Sequence, residues 1–287
     1  MIKLCSDYQN DMSDQKATQS STETLFGLTP EVLAFLQKQH VHFLLPMYGG
    51  LCSSPTFLAF IEWTIMATRM NLKFVVDVIS NESLITRGRN NLVAKFLLNK
   101  EATHMMFVDV DLGFKADAIF RLLLSNQDVV GGIYPMKTIP TKYCVNTLET
   151  FTLIDDDIVE VSTLGTGFML VKRHVIEKMI SAHPHLKYKD NLNFSAEAEP
   201  NMYALFDTLI DEHGNYLSED WTFCYRWRKM GGKCFANIAI DLQHNGNHTF
   251  RGDTTILRER VLPNGITFAK LKQEAEEKAK AAAESKA

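Results

Sequence analysis

The chain has 287 residues, 46% of them apolar and 22% charged, with 30 Lys and Arg against 34 Asp and Glu and a formal charge of -4. That composition supports a globular core and argues against a protein whose main task is coating nucleic acid, since such affinity comes from neutralising phosphates with Lys and Arg. No stretch approaches the ~18 uninterrupted apolar residues of a membrane span, and five scattered cysteines do not suggest a disulfide framework. The expectation is a soluble, cytoplasmic protein with no membrane span.

Residues 1–38 read as an N-terminal extension, polar and then briefly amphipathic over Pro30 to Gln39. The main domain is expected over 39–250. It opens with the apolar run Val41 to Pro46, a buried strand leaving into a loop at Gly49-Gly50, followed by a helix from Thr56 to about Asn71. Lys73 to Ile79, rich in β-branched residues, is a second strand; Ile85 to Asn99 is a second helix with Leu92, Phe96 and Leu97 on its buried stripe. Thr103 to Val108, Asp117 to Ser125 and Val129 to Tyr134 continue the alternation as strand, helix and strand. This order predicts an α/β fold with a mixed, mainly parallel sheet flanked by helices.

Beyond Pro140 the expected strands are shorter and antiparallel, over Lys142 to Leu153 and Ile158 to Val161. Gly165-Thr166-Gly167 opens onto the apolar run Phe168 to Val171, and a helix follows from His174 to about Ala182. Residues 183–217 are turn-rich, the pattern of a long excursion near a site. Ser218-Glu219-Asp220 begins a helix ending at Gly231-Gly232, with Ser218 as N-cap and the acids in the first turn. Lys233 to Leu242 is the last expected strand, and 251–287 a C-terminal extension, helical or disordered.

The chemical signal is Phe107-Val108-Asp109-Val110-Asp111-Leu112-Gly113, two carboxylates where an apolar strand runs out. In an extended chain, residues two apart point to the same side, so both acids are expected to project together from the carboxyl end of the sheet, where open α/β sheets bind ligands. Like charges this close repel unless a cation or ligand donors sit between them, and oxygen ligands suit Mg²⁺ or Mn²⁺; a lone Asp-x-Asp reads equally as a solvated strand-to-loop turn. Cys224, Cys234, His244 and His248 have the residue types of a zinc site but not the close cysteine spacing. Arg87 and Arg89 read equally as exposed cations at a helix start, and Tyr48 as a loop-packing aromatic.

With Glu219-Asp220 at a later helix start and His244 after the last strand, the arrangement resembles the nucleotide-sugar glycosyltransferases of the GT-A (Rossmann-like) fold. The resemblance extends to Ser83 through Asn91, similar to the nucleotide-holding segment of phage and bacterial family-2-like members, and to Asp128 through Gly132. It implies a glycosyltransferase that moves a hexosyl or pentosyl group from a nucleoside-diphosphate donor to an acceptor hydroxyl, on a saccharide or on a modified base of phage DNA. By the same resemblance Asp111 ligates a divalent Mn²⁺ or Mg²⁺, Asp109 contacts the ribose or the metal, and His244 completes the shell. Pro46 and Tyr48 lie against the base, with Ser80 and Arg87 close by and Lys137 among the cations facing the diphosphate. Asp220 faces the acceptor hydroxyl and, if the enzyme inverts configuration, is the candidate general base, while Glu219 orients the site. Two competitors remain at this stage. One is a haloacid-dehalogenase-type phosphotransferase, whose Asp-x-Asp follows the first strand rather than the third; the other is a catalytically silent nucleotide-sugar-binding module.

Overall fold

In the computed structural model, residues 27–149, 153–155 and 157–253 are described, together with Lys270, Gln273 and Glu277. Most of the 251–287 extension and the first 26 residues of the N-terminal one therefore lie outside the described residues. Helix α1 (Pro30–Gln37) starts at Thr29, whose hydroxyl accepts from the Val32 N–H. Its Leu36 is fully buried, so the end of the expected extension already belongs to the core.

Strand β1 (His40–Met47) is followed by a tight turn through Gly49, whose φ of 70° favours glycine. Helix α2 (Ser54–Arg69) has Ser53 as its side-chain cap and Pro55 in its first turn. Then come β2 (Lys73–Ser80), α3 (Ile85–Leu98), β3 (His104–Val108), the two-residue β4 (Leu112–Gly113), α4 (Asp117–Leu124) and β5 (Val129–Gly132). The second half holds β6 (Val145–Thr147), β7 (Leu153–Asp155), β8 (Ile158–Leu164), β9 (Phe168–Lys172) and α5 (Arg173–Ala182). After the excursion, in which β10 (Leu209–Ile210) pairs with β11 (Tyr216–Leu217), come α6 (Glu219–Lys229), β12 (Cys234–Asn237), β13 (Gln243–Asn245) and β14 (Thr249–Arg251).

The large sheet has the order β2-β1-β3-β9-β5-β12-β8-β6, with β7 on β8. β2, β1, β3, β5 and β12 share one direction, while β9, inserted between β3 and β5, and β8 run against them. The mixed, mainly parallel sheet matches the sequence expectation. One apolar cluster joins one face of the sheet to α3, α5 and α6; another joins the opposite face to α1, α2 and α4. The layers are thus helix, sheet, helix. No helix among the described residues is long and apolar enough to cross a membrane.

One boundary differs from the expected one for a local reason. The last expected strand ends at Asn237, where Asn237 Oδ1 accepts from the Ala239 N–H and turns the chain, and pairing resumes only at Gln243. The excursion is held down by α3: the buried Asn90 side chain bonds both the N–H and the carbonyl of Phe206, at 2.9 and 2.7 Å. Phe206 in turn stacks on Phe223 of α6 with centroids 4.4 Å apart, a contact contributing ~0.5–1.5 kcal/mol beyond its buried area. That packing fixes where α6 begins.

Candidate active site

The pairing register brings the expected residues to one edge. Met47 lies opposite Ser80 and Leu44 opposite Phe107, so the loop after β1, the end of β2 and Asp109 all sit at the carboxyl ends of parallel strands. Gly167 enters β9 from the same edge, its carbonyl accepting from the Asp109 N–H at 2.8 Å. Gly165 and Gly167 have to be glycines. A Cβ on Gly165 would lie 2.2 Å from the Tyr134 hydroxyl, and Tyr134 accepts the Gly167 N–H at 3.1 Å. This turn is therefore packed closely against Tyr134.

The two carboxylates do not project together. After β3 the chain turns, the Leu112 N–H donating to the Asp109 carbonyl at 3.0 Å, and Val110 and Asp111 occupy the turn rather than an extended segment. The period-two argument requires a strand, which has ended at Val108. Asp109 and Asp111 therefore belong to two separate corners.

In the first corner, β13 pairs with β4 so that His244 lies opposite Leu112, and the Asn245 N–H and side-chain amide both donate to the Asp111 carbonyl. This docking brings His244 Nε2 to 3.4 Å from Asp111 Oδ2, while His244 Nδ1 lies 2.9 Å from the Pro135 carbonyl. A carbonyl only accepts, so Nδ1 carries a proton, and in the neutral ring Nε2 presents its lone pair to the carboxylate. Two electron-rich atoms facing each other fit a cation, and the outer nitrogen held by a carbonyl is the usual support of a metal-bound imidazole. Lys137 Nζ sits 2.6 Å from the same Asp111 oxygen, its stem passing over Gly246. Burial raises the Asp111 pKa, but a hydrogen bond from His244 when its Nε2 is protonated, and that from Lys137, outweigh it and hold the carboxyl below its ordinary value.

In the second corner, Arg89 is 3% exposed and lies over the Phe107 ring, 5.0 Å from its centroid. Its Nη2 donates to Asp109 Oδ1 at 3.0 Å and its Nε to Glu219 Oε1 at 3.2 Å, tying the end of β3 to the start of α6. Burial acts to lower the Arg89 pKa, and the two carboxylates reverse that effect and raise it. Arg89 is therefore a buried bridge and not an exposed cation. Next to it, Asp220 takes the Trp221 N–H on Oδ1 at 2.8 Å, and the Ser218 hydroxyl bonds the same oxygen. Ser218 holds the N-cap position, but its side chain bonds Asp220 instead of capping α6. Burial and the neighbouring Glu219 charge raise the Asp220 pKa.

Asp220 lines a cleft of about 700 Å³ with Ser218, Trp221, Met136 and the strand-forming segment Thr141 to Asn146. Cys144 lines it too, but burial pushes its thiol up to about 12, so it stays protonated and is a poor nucleophile. Among the remaining expected residues, Arg87 is clamped by both oxygens of Glu82, at 2.7 and 2.8 Å, which raises its pKa. Tyr48 is 69% exposed, Ser80 is exposed and Pro46 half-buried, all on the same sheet edge.

Among the described residues no three His, Cys, Asp or Glu side chains cluster as a metal shell. Of Asp109, Asp111 and His244, the structure brings together the last two. Sequence reading missed the bridging role of Arg89 and the packing role of Tyr134. A signal for Arg89 existed: it stands three and seven positions before Leu92 and Phe96, on the buried stripe of α3.

No family model and no curated protein matches this chain. Among solved structures, A197 from STIV is similar over 79% of this chain and 92% of its own, at 18% identity and a TM-score of 0.44, a likeness too distant to carry function.

Proposed function

We propose that the chain is a metal-dependent glycosyltransferase that moves a sugar from a nucleoside-diphosphate donor to an acceptor hydroxyl, of a saccharide or of a hydroxylated base in DNA. The observation that carries this reading is the Arg89 bridge, which sets the first carboxylate of Asp-x-Asp beside the Glu219-Asp220 pair at the ligand-binding edge of the sheet. Asp111 and His244 are the residues to hold Mn²⁺ or Mg²⁺. Two protein ligands suffice for such an ion, which keeps its other positions for water and phosphate oxygens. When bound, the cation neutralises charge developing on the departing diphosphate.

The chain's own groups supply the rest. Lys137 and the exposed loop after β1 face the donor side, and Arg89 fixes the spacing between Asp109 and α6. Asp220, with Oδ2 free of hydrogen bonds among the described residues and its pKa raised, takes the acceptor proton from within the cleft.

The test is hydrolysis of a panel of nucleotide sugars with Mn²⁺ by wild type and Asp111→Ala. The expected result is slow donor cleavage that chelation abolishes and Asp111→Ala loses. Rapid release of phosphate from monoesters, or cleavage indifferent to chelation, would overturn the proposal.

A further inference from the structure

β2 ends the large sheet and, among the described residues, pairs with β1 alone. Among the described residues no strand bonds its outer row of backbone N–H and C=O groups. Edge strands are usually blunted by shortness, proline, bulges or charge; β2 has eight residues, no proline, and an unbroken register with β1. Val75, Val76 and Val78 are 36%, 44% and 39% exposed. α2 packs on the face that Phe74 shares with Val76 and Val78, with Trp63 and Phe74 centroids 4.9 Å apart. The outer side of α2 exposes Phe57, Leu58, Ile61 and Ile65, a stripe at helical spacing.

We propose that this edge is the interface between two copies of the chain, β2 pairing antiparallel with β2 of the second copy about a two-fold axis through Val75. The sequence Lys73-Phe74-Val75-Val76-Asp77-Val78 is self-complementary in this register and in no neighbouring one. With the axis at Val75, Lys73 faces Asp77 of the second copy, Phe74 faces Val76, and Leu72 faces Val78. Moving the axis to Val76 sets Lys73 against Ile79 and Asp77 against Val75; moving it to Asp77 sets two carboxylates face to face. Directly opposed pairs decide antiparallel pairing, and opposite charges favour it while like charges oppose it. Asp77, although it already accepts from His42 and Lys95, keeps 29% of its side chain exposed for a further partner. A two-fold interface is self-complementary by construction, so each match occurs twice and α2 meets its own copy. The strand edge and the α2 stripe together have to supply about 800 Å² per partner.

Sedimentation equilibrium of the full chain is expected to give twice the 32.6 kDa monomer mass. Val76→Lys and Lys73→Glu, both at exposed positions, each raise the dissociation constant about tenfold or more, equivalent to 1.4 kcal/mol, with unchanged circular dichroism and thermal midpoint in dilute solution. The register is read by cross-linking in a background with Cys5 and Cys52 replaced by Ser: Val75→Cys forms a disulfide dimer under mild oxidation, whereas Val78→Cys does not. A monomer at every concentration, a dimer indifferent to both substitutions, or preferential linkage through position 78 would overturn the proposal. Hydrogen exchange adds a further outcome: a monomer with protected β2 amides would assign the edge to another segment of this chain and equally refute the dimer.

Discussion

Arg89→Met is the perturbation that most directly tests the architecture of the site. The Arg89 side chain is 4% exposed and bonds Asp109 and Glu219, whose side chains are 27% and 16% exposed. Removing one member of a buried ion pair costs ~3–5 kcal/mol when the remaining charge stays buried. Here both carboxylates reach water in part and can rehydrate, which reduces the expected loss to about 2–4 kcal/mol. At ~2–4 °C per kcal/mol for a chain of this size, the thermal midpoint falls by roughly 5–15 °C. Urea unfolding is the assay, with the midpoint displaced and the m-value constant, since the same surface is exposed on unfolding. Arg89→Lys restores part of the stability because the charge stays, but a single ammonium cannot reproduce the two-pronged bridge. A second readout separates positioning from mere structure. The Arg89 charge is among the influences that hold the Asp220 pKa down against burial and Glu219. Its loss raises that pKa further and moves the acidic limb of the rate profile to higher pH. A stability change below about 1 kcal/mol, which is the range of a surface pair, together with an unmoved acidic limb, would refute the reasoning.

Asp220→Asn is expected to lower kcat by ~10²–10⁴, the usual contribution of a general base, with donor KM little changed. On the proposed function the ionised form of Asp220, whose pKa is raised, is the base, so wild-type activity falls with decreasing pH through a value above 3.8, and Asp220→Asn loses this limb; a mutant retaining it would exonerate Asp220. Lys137→Met should raise the Mn²⁺ affinity of the donor-free chain by about two- to fivefold, the scale of an exposed ion pair; titration followed by electron paramagnetic resonance reads this without turnover, and weaker binding would contradict it. Gly165→Ala places a Cβ 2.2 Å from the Tyr134 hydroxyl and should cost ~1–3 kcal/mol by overpacking, measured by thermal unfolding, whereas a loss under about 0.5 kcal/mol would mean that the turn gives way.

The alternation of strands and helices was legible because it is written in local periodicity, and the paired elements from β1 to β5 begin and end within a few residues of where that periodicity changes. The antiparallel insertion of β9 between β3 and β5 was not legible, since hydrophobic pattern does not record which neighbour a strand takes. The site shows the same division. Asp109, Asp111, Glu219, Asp220 and His244 stand out because charged residues interrupt apolar runs. Their grouping depends on a turn at Val110-Asp111 and on Arg89, whose partners are 20 and 130 positions away. Reading Arg89 as a solvated cation followed from its charge; its place on the Leu92 and Phe96 stripe pointed the other way.

The two corners differ in what can leave them. Arg89 is enclosed and lies over an aromatic ring between two carboxylates, so an incoming ion cannot replace it without opening the core. Lys137 reaches Asp111 from the surface with 40% of its side chain in solvent, and a flexible ammonium there is readily exchanged for another cation. The Asp109 corner thus ties the sheet to α6, and on the proposed function the Asp111 corner is the exchangeable one. This asymmetry accounts for an Asp-x-Asp sequence whose members face different partners. A cation held by both acids would have to compete with a buried guanidinium, whereas one held by Asp111 and His244 competes only with a surface lysine.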